Sequence, residues 1–123
     1  MTTKLQEWRV ADLESIAEPG AVEFRVGEQD WPFRGLVVRW QGQVSAYANV
    51  CPHAGHPLNI DPGRFFNTDE SLLICASHGA LFEPVSGDCV AGPCAGQSLR
   101  KLECRIEAGG VYVRAPDSQR TPL

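Results

Sequence analysis

Two short segments, each holding one cysteine and one histidine, constrain this chain more than any other feature. They are Cys51-Pro52-His53, the first arm, and Cys75-Ala76-Ser77-His78, the second arm. Thiolate and imidazole ligands together favour zinc, copper or iron over calcium or magnesium. Because residues 54–74 separate the arms, the pattern predicts a metal site that is assembled from two loops.

The composition indicates an acidic chain of ordinary globular make-up. The 123 residues carry a formal net charge of −4, and 43% of them are hydrophobic; we expect one domain spanning residues 1–123. Nucleic-acid binding needs a basic patch, whereas lysine and arginine are scattered singly apart from Arg100-Lys101. The sequence therefore argues against a nucleic-acid partner.

The expected location is the cytoplasm, without contact to a membrane. No stretch reaches the roughly 18 apolar residues of a membrane helix, and Met1 to Glu7 lacks the apolar run of a secretory signal. The five cysteines are an odd number, and two of them stand in metal-type spacing. In a reducing compartment this favours metal ligation and thiols over a framework of disulfides.

Short apolar segments separated by turns predict an all-β fold. Strands are expected at residues 7–10, 21–26, 35–40, 44–50, 72–74, 80–82, 99–106 and 111–114, with one loose helical turn at 12–16. About eight to ten such strands are typical of a sandwich or barrel of short antiparallel strands. Residues 49–82, which contain both arms, are expected to form a small metal-binding subdomain.

The arms and the glycines that follow them resemble the Rieske iron–sulfur motif. The matching residues are Cys51-Pro52-His53-Ala54-Gly55, Cys75-Ala76-Ser77-His78-Gly79, Phe82, Gly87 and Gly92-Pro93. The resemblance implies one [2Fe-2S] cluster per chain, with Cys51 and Cys75 on the inner iron. It places His53 and His78 on the outer iron, with their remaining N–H groups near solvent, and the Gly92-Pro93 loop over the cluster. The whole chain resembles the small Rieske-type ferredoxins of ring-hydroxylating dioxygenases, which implies a Rieske-like fold with a cluster-binding subdomain.

Departures from the high-potential members of that family predict a low reduction potential. Those members carry a disulfide between the arms, and a serine and a tyrosine whose hydroxyls bond to cluster sulfurs. The corresponding positions here hold His56, Ser77, Ala80 and Phe82. Because donors to sulfur stabilise the more negative reduced cluster, their absence lowers the potential. We expect the low end of the Rieske range, roughly −150 to 0 mV.

Other interpretations of the same residues stay open. Zinc could take the four ligands, although zinc sites of this composition usually pair cysteine with cysteine and histidine with histidine along the chain. His56 could replace His53 as a ligand, but the spacing favours His53. Cys89 and Cys94 could form a disulfide or add ligands, yet such thiols more often serve as small buried side chains. Cys104 is expected in the core.

The resemblance implies a one-electron carrier and not an enzyme with its own substrate. It would accept electrons from a flavin-dependent reductase and pass them to a terminal oxygenase, in transient protein–protein contacts. Four protein ligands saturate a [2Fe-2S] unit, which leaves no open metal position for a small-molecule substrate. The two alternatives are a small Rieske subunit of a nitrite reductase-like enzyme and a non-redox zinc or cluster module with a structural or sensor role.

Overall fold

Ten short strands form three antiparallel sheets in the part of the chain that the structure describes. The computed structural model describes residues 5–27, 32–52, 57–59, 64–76, 79–93 and 95–116. The strands are β1 (Gln6–Asp12), β2 (Gly20–Val26), β3 (Phe33–Trp40), β4 (Gln43–Ala48), β5 (Leu73–Ile74), β6 (Leu81–Phe82), β7 (Cys89–Ala91), β8 (Lys101–Leu102), β9 (Cys104–Glu107) and β10 (Gly110–Ala115). A single 3-10 turn, Leu13–Ser15, follows β1, as predicted. The all-β prediction is confirmed.

The sheets have the strand orders β1-β10-β9, β2-β3-β4-β8 and β5-β6-β7. Strands β1 to β6 and β10 begin and end within a few residues of their predicted bounds. Across the described ranges, no helix has the length and apolar character needed to cross a bilayer.

The four-stranded sheet is buried on both faces because its residues alternate between two cores. In β3, Val37 packs on one side, whereas Leu36 and Val38 pack on the other. In β4, Ala46 and Tyr47 divide in the same way. This is the two-residue period of a strand, and it explains why β3 carries an uninterrupted apolar run instead of an alternating one.

Two hydrophobic cores lie on the two faces of the four-stranded sheet. The arm core consists of Ala21, Leu36, Val38, Tyr47, Cys51, Leu58, Phe65, Leu73, Cys75, Ala80, Phe82, Cys89 and Leu99. The distal core consists of Ile16, Phe24, Val26, Phe33, Val37, Ala46, Ala48, Leu102, Val111, Val113 and Ala115. The arm core thus joins the four-stranded sheet to the β5-β6-β7 sheet, and the distal core joins it to the β1-β10-β9 sheet.

The single strand predicted at residues 99–106 is wrong. The segment forms two strands in different sheets, since β8 pairs with β4 and β9 pairs with β10. The chain changes sheets at Glu103, whose carbonyl oxygen accepts a hydrogen bond from the Arg114 N–H at 2.9 Å. Alternation of apolar and polar residues continues through this point, so the pattern gives no sign that the pairing partner changes.

Strand β7 was not predicted. It has three residues, lies between the turns around Gly87 and Gly92, and pairs with β6 through an irregular register. A segment this short contains too few residues for its alternation to be recognised. Its addition to β5 and β6 completes the small sheet that supports the second arm.

Candidate metal centre

The first arm leaves the four-stranded sheet at the end of β4. The Asn49 N–H donates to the Arg34 carbonyl oxygen at 3.0 Å, which continues the pairing with β3. The Val50 N–H then turns back to the Ala48 carbonyl oxygen at 2.9 Å. Cys51 follows this turn and is fully buried. The end of a well-paired strand therefore positions the first thiol.

The second arm begins directly after β5. The Cys75 N–H donates to the Ala80 carbonyl oxygen at 2.9 Å, and the Cys75 carbonyl oxygen accepts from the Gly79 N–H at 2.9 Å. These bonds close a tight turn between β5 and β6. Cys75 is fully buried, so a short hairpin positions the second thiol.

Both thiols belong to the arm core, together with apolar side chains such as those of Leu58, Ala80 and Phe82. Two buried thiols in apolar surroundings fit an iron–sulfur cluster, because thiolates are the soft ligands that iron–sulfur chemistry uses. The described residues by themselves bring together no group of three or more His, Cys, Asp or Glu side chains. The ligand set would be completed by His53 and His78, which lie outside the described residues.

Some of the other residues singled out in the sequence lie within the described part of the chain, and others lie outside it. His56, Ser77 and Cys94 lie outside the described residues. Ala80 and Phe82, the positions that lack hydroxyl groups, are fully buried. Both side chains belong to the same core as Cys75 of the second arm. A residue at such a position can influence a cofactor that this arm binds.

The remaining described cysteines behave as small side chains of the interior. Cys89 is buried, and its thiol donates to the Ala91 carbonyl oxygen at 3.3 Å. Cys104 is half-buried at the edge of the distal core, with its thiol 3.6 Å from the Val44 carbonyl oxygen. Burial raises the pKa of the Cys104 thiol, which keeps that group protonated and unreactive at neutral pH.

Sequence reasoning missed a polar network beneath the first arm. Asn49 is fully buried, and its side chain bonds to Glu23, to Asn59 and to the backbone of Leu58. Glu23 also accepts two hydrogen bonds from Arg34. Asn49 stands near the end of the strand predicted at residues 44–50, where an asparagine is typical of the approach to a turn, so only the burial of this position could have revealed the network.

Comparison with known proteins gives a family match over most of the chain. The family model described as the Rieske [2Fe-2S] domain matches residues 6–108. Apoptosis-inducing factor 3 from Homo sapiens is 36% identical over 83 residues, which are 65% of this chain but only 12% of that protein. This chain therefore corresponds to a small part of that relative's length.

Solved structures show the same fold. The ferredoxin of carbazole 1,9a-dioxygenase from Nocardioides aromaticivorans IC177 is 25% identical, with a TM-score of 0.68 over 91% of this chain and 99% of that chain. A chain from the complex of reduced oxygenase and oxidized ferredoxin in carbazole 1,9a-dioxygenase is 21% identical, with a TM-score of 0.68 over 91% of this chain and 95% of that chain. The match to the family model spans most of the sequence and includes both arms, so the chain belongs to the Rieske [2Fe-2S] domain family, whose cofactor is a [2Fe-2S] cluster.

Proposed function

We propose that this chain is a one-electron carrier that holds its cluster through Cys51, His53, Cys75 and His78. Electrons would arrive from a flavin-dependent reductase and leave to a terminal oxygenase, so the chain is a component of an oxygenase system and has no substrate of its own. The observation that carries this proposal is the burial of both thiols in one apolar core, with Cys75 directly after β5 and Cys51 three residues after the end of β4.

The ligand chemistry suits electron transfer. Two thiolates and two neutral imidazoles bring an oxidised [2Fe-2S] unit to a net charge of about zero, whereas four thiolates would bring it to about −2. The bound cluster supplies a site that takes up and releases one electron. In an apolar interior a large net charge is costly, so the mixed ligand set makes reduction easier.

The backbone around the thiols restricts their movement. The Cys75 N–H and carbonyl oxygen are both used in the turn to Ala80 and Gly79, and Cys51 follows residues that are bonded to β3 and β4. A framework that holds ligands in one geometry lowers the rearrangement that accompanies a change of charge. The same framework keeps water away from both sulfur ligands, since neither thiol is exposed.

Structural similarity to a ferredoxin supports the proposal that the electron acceptor is a terminal oxygenase. The carbazole 1,9a-dioxygenase ferredoxin forms a complex with its oxygenase, and this chain shares its fold. The flavin-dependent reductase is an inference from the family resemblance. The cytoplasmic location stays a prediction from the sequence.

The cluster assignment is tested on the purified chain. We expect about two irons and two acid-labile sulfides per chain, and after dithionite reduction an EPR signal with an average g value below that of the free electron. His78→Ala should abolish this spectrum, whereas the matched variant His56→Ala should retain it. A colourless protein that contains zinc, or an unchanged spectrum in His78→Ala, would overturn the assignment.

The carrier role needs a separate experiment. Dithionite-reduced protein would be mixed anaerobically with the oxidised terminal oxygenase of carbazole 1,9a-dioxygenase, and oxidation of the carrier would be followed by stopped-flow absorbance. We expect an oxidation rate that rises with oxygenase concentration. A cluster-containing protein that transfers no electrons to this oxygenase, or to others of its class, would contradict the proposed acceptor.

A further inference from the structure

The side chain of Asn49 makes three hydrogen bonds in an interior position. Its Oδ1 accepts from the Leu58 N–H at 2.9 Å. Its Nδ2 donates to Glu23 Oε2 at 2.7 Å and to Asn59 Oδ1 at 2.9 Å. Asn49 is fully buried, and a buried amide is retained at low cost only when its donors and acceptor are satisfied. The arrangement meets that condition.

Leu58 connects this amide to the second arm. While its N–H donates to Asn49, its carbonyl oxygen accepts from the Ala76 N–H at 2.8 Å. Asn49 stands two residues before Cys51, and Ala76 directly follows Cys75. Two consecutive hydrogen bonds through one residue of the intervening loop therefore join the segment that leads into the first arm to the second arm.

Glu23 fixes the direction in which the amide points. Its Oε2 accepts from Arg34 Nε at 2.9 Å and Nη2 at 2.6 Å as well as from Asn49. An ionised carboxylate has no proton to donate, so Asn49 must turn its NH2 group toward Glu23 and its oxygen toward Leu58. The opposite orientation would place two oxygens together and two donors together.

We propose that Asn49 is a positioning residue that clamps the two arms together, and that Glu23 orients it. This inference rests on the proposed roles of Cys51 and Cys75 as cluster ligands. A cluster bound by both arms is released when the arms separate. The clamp is therefore expected to slow cluster loss by more than its contribution to the stability of the whole fold.

The first test compares variants of the whole cluster-containing chain. Asn49→Leu removes all three side-chain hydrogen bonds, Asn49→Asp removes the donor group and keeps the acceptor, and Val113→Ala truncates a fully buried side chain of the distal core. Loss of visible absorbance in the presence of an iron chelator gives the release rate, and denaturant unfolding followed by far-UV circular dichroism gives the global stability.

We expect both Asn49 variants to release the cluster at least about tenfold faster than their loss of global stability alone would explain. This factor corresponds to the loss of hydrogen bonds to a charged group. Val113→Ala should change the release rate only in proportion to its loss of stability. An Asn49→Leu protein with native secondary structure that never acquires a cluster also supports the clamp. If the release rate of all three variants rises only in proportion to their loss of global stability, the clamp is overturned.

The second test asks whether Glu23 orients the amide. In Asn49→Asp two carboxylates face each other, and Glu23→Gln supplies an amide donor to the new carboxylate. The increase in release rate caused by Asn49→Asp should therefore be several-fold smaller in the Glu23→Gln background than in the original chain. An identical increase in both backgrounds would exclude the orienting role of Glu23.

The cluster content of the original chain shows whether the proposed function or only the clamp has failed. If it contains no [2Fe-2S] cluster, the proposed function fails and the clamp fails with it. If it contains the cluster and the Asn49 variants follow the Val113→Ala control, the clamp alone is wrong.

Discussion

A Cβ atom added to Gly92 would lie 2.8 Å from the Cα of Ala80, so the backbones of these two residues are in direct contact. Gly92 follows β7 at the start of the Gly92-Pro93 loop, and Ala80 closes the turn of the second arm. The contact places this loop against the second arm, where the family resemblance expects a wall beside the cluster.

Gly92→Ala should destabilise the fold more than the same change at another glycine of the loop. Gly92 has a φ of +95°, and Gly96 has a φ of +93° with open space around it. Both variants should therefore lose about 1–2 kcal/mol from the unfavourable backbone conformation, and Gly92→Ala should lose about 1–3 kcal/mol more from the clash with Ala80. Denaturant unfolding measures both losses, and equal values would contradict the close contact.

A second close approach, between the Phe24 side chain and Gly35, lies beside the distal core. Phe24 and Gly35 are paired across β2 and β3, and a Cβ atom at Gly35 would clash with Cζ of the Phe24 ring. Gly35→Ala should therefore lower the free energy of unfolding by about 1–3 kcal/mol through overpacking. In a Phe24→Leu background, where the ring is absent, this penalty should shrink. Denaturant unfolding of the four proteins tests the coupling, and strictly additive effects would show that the ring does not cause the penalty.

The raised pKa of Tyr47 predicts that the folded chain loses stability at alkaline pH. Its hydroxyl donates to the Pro84 carbonyl oxygen at 2.8 Å, and burial raises the pKa of Tyr47 to about 12. Between the ordinary pKa of about 10 and the folded-state value, the folded chain holds a proton that the unfolded chain has lost. The stabilisation is therefore complete below pH 10 and disappears as the pH rises toward 12, at up to about 1.4 kcal/mol per pH unit.

Tyr47→Phe is the matched control for this titration. At neutral pH it should lower the free energy of unfolding by about 0.5–1.5 kcal/mol, because the Pro84 carbonyl oxygen loses its donor. Between pH 10 and 12 its stability should fall less steeply than that of the original chain, since no tyrosine at this position can titrate. Unfolding curves at several pH values compare the slopes, and parallel curves would contradict the effect of Tyr47.

Local pattern was enough to predict some features and not others. Cys51 and Cys75 could be singled out because each stands beside a histidine, and the strands could be located because apolar residues in β3 and β4 form short runs between turns. The change of sheet at Glu103 depends on which strands pair with each half of the segment, which no local pattern contains. The bond between Asn49 and Glu23 likewise joins positions 26 residues apart, and it exists only once β2, β3 and β4 are paired.

Ala80→Ser tests whether the interior beside the second arm controls the reduction potential. Ala80 is fully buried, and the family resemblance aligns it with a serine whose hydroxyl bonds to cluster sulfur in high-potential members. Because such a bond stabilises the reduced cluster more than the oxidised one, Ala80→Ser should raise the potential. A differential stabilisation of about 1.4 kcal/mol corresponds to about 59 mV for a one-electron couple.

Redox titration of the EPR signal measures this shift, and Ala46→Ser provides the comparison because Ala46 is equally buried but belongs to the distal core. A new hydroxyl there lies on the opposite face of the four-stranded sheet and should leave the potential unchanged. Equal shifts in the two variants would mean that general polarity, and not a bond to sulfur, alters the potential. A value above about +150 mV in the original chain would show that the absence of hydroxyls at Ala80 and Phe82 does not place this protein at the low end of the Rieske range.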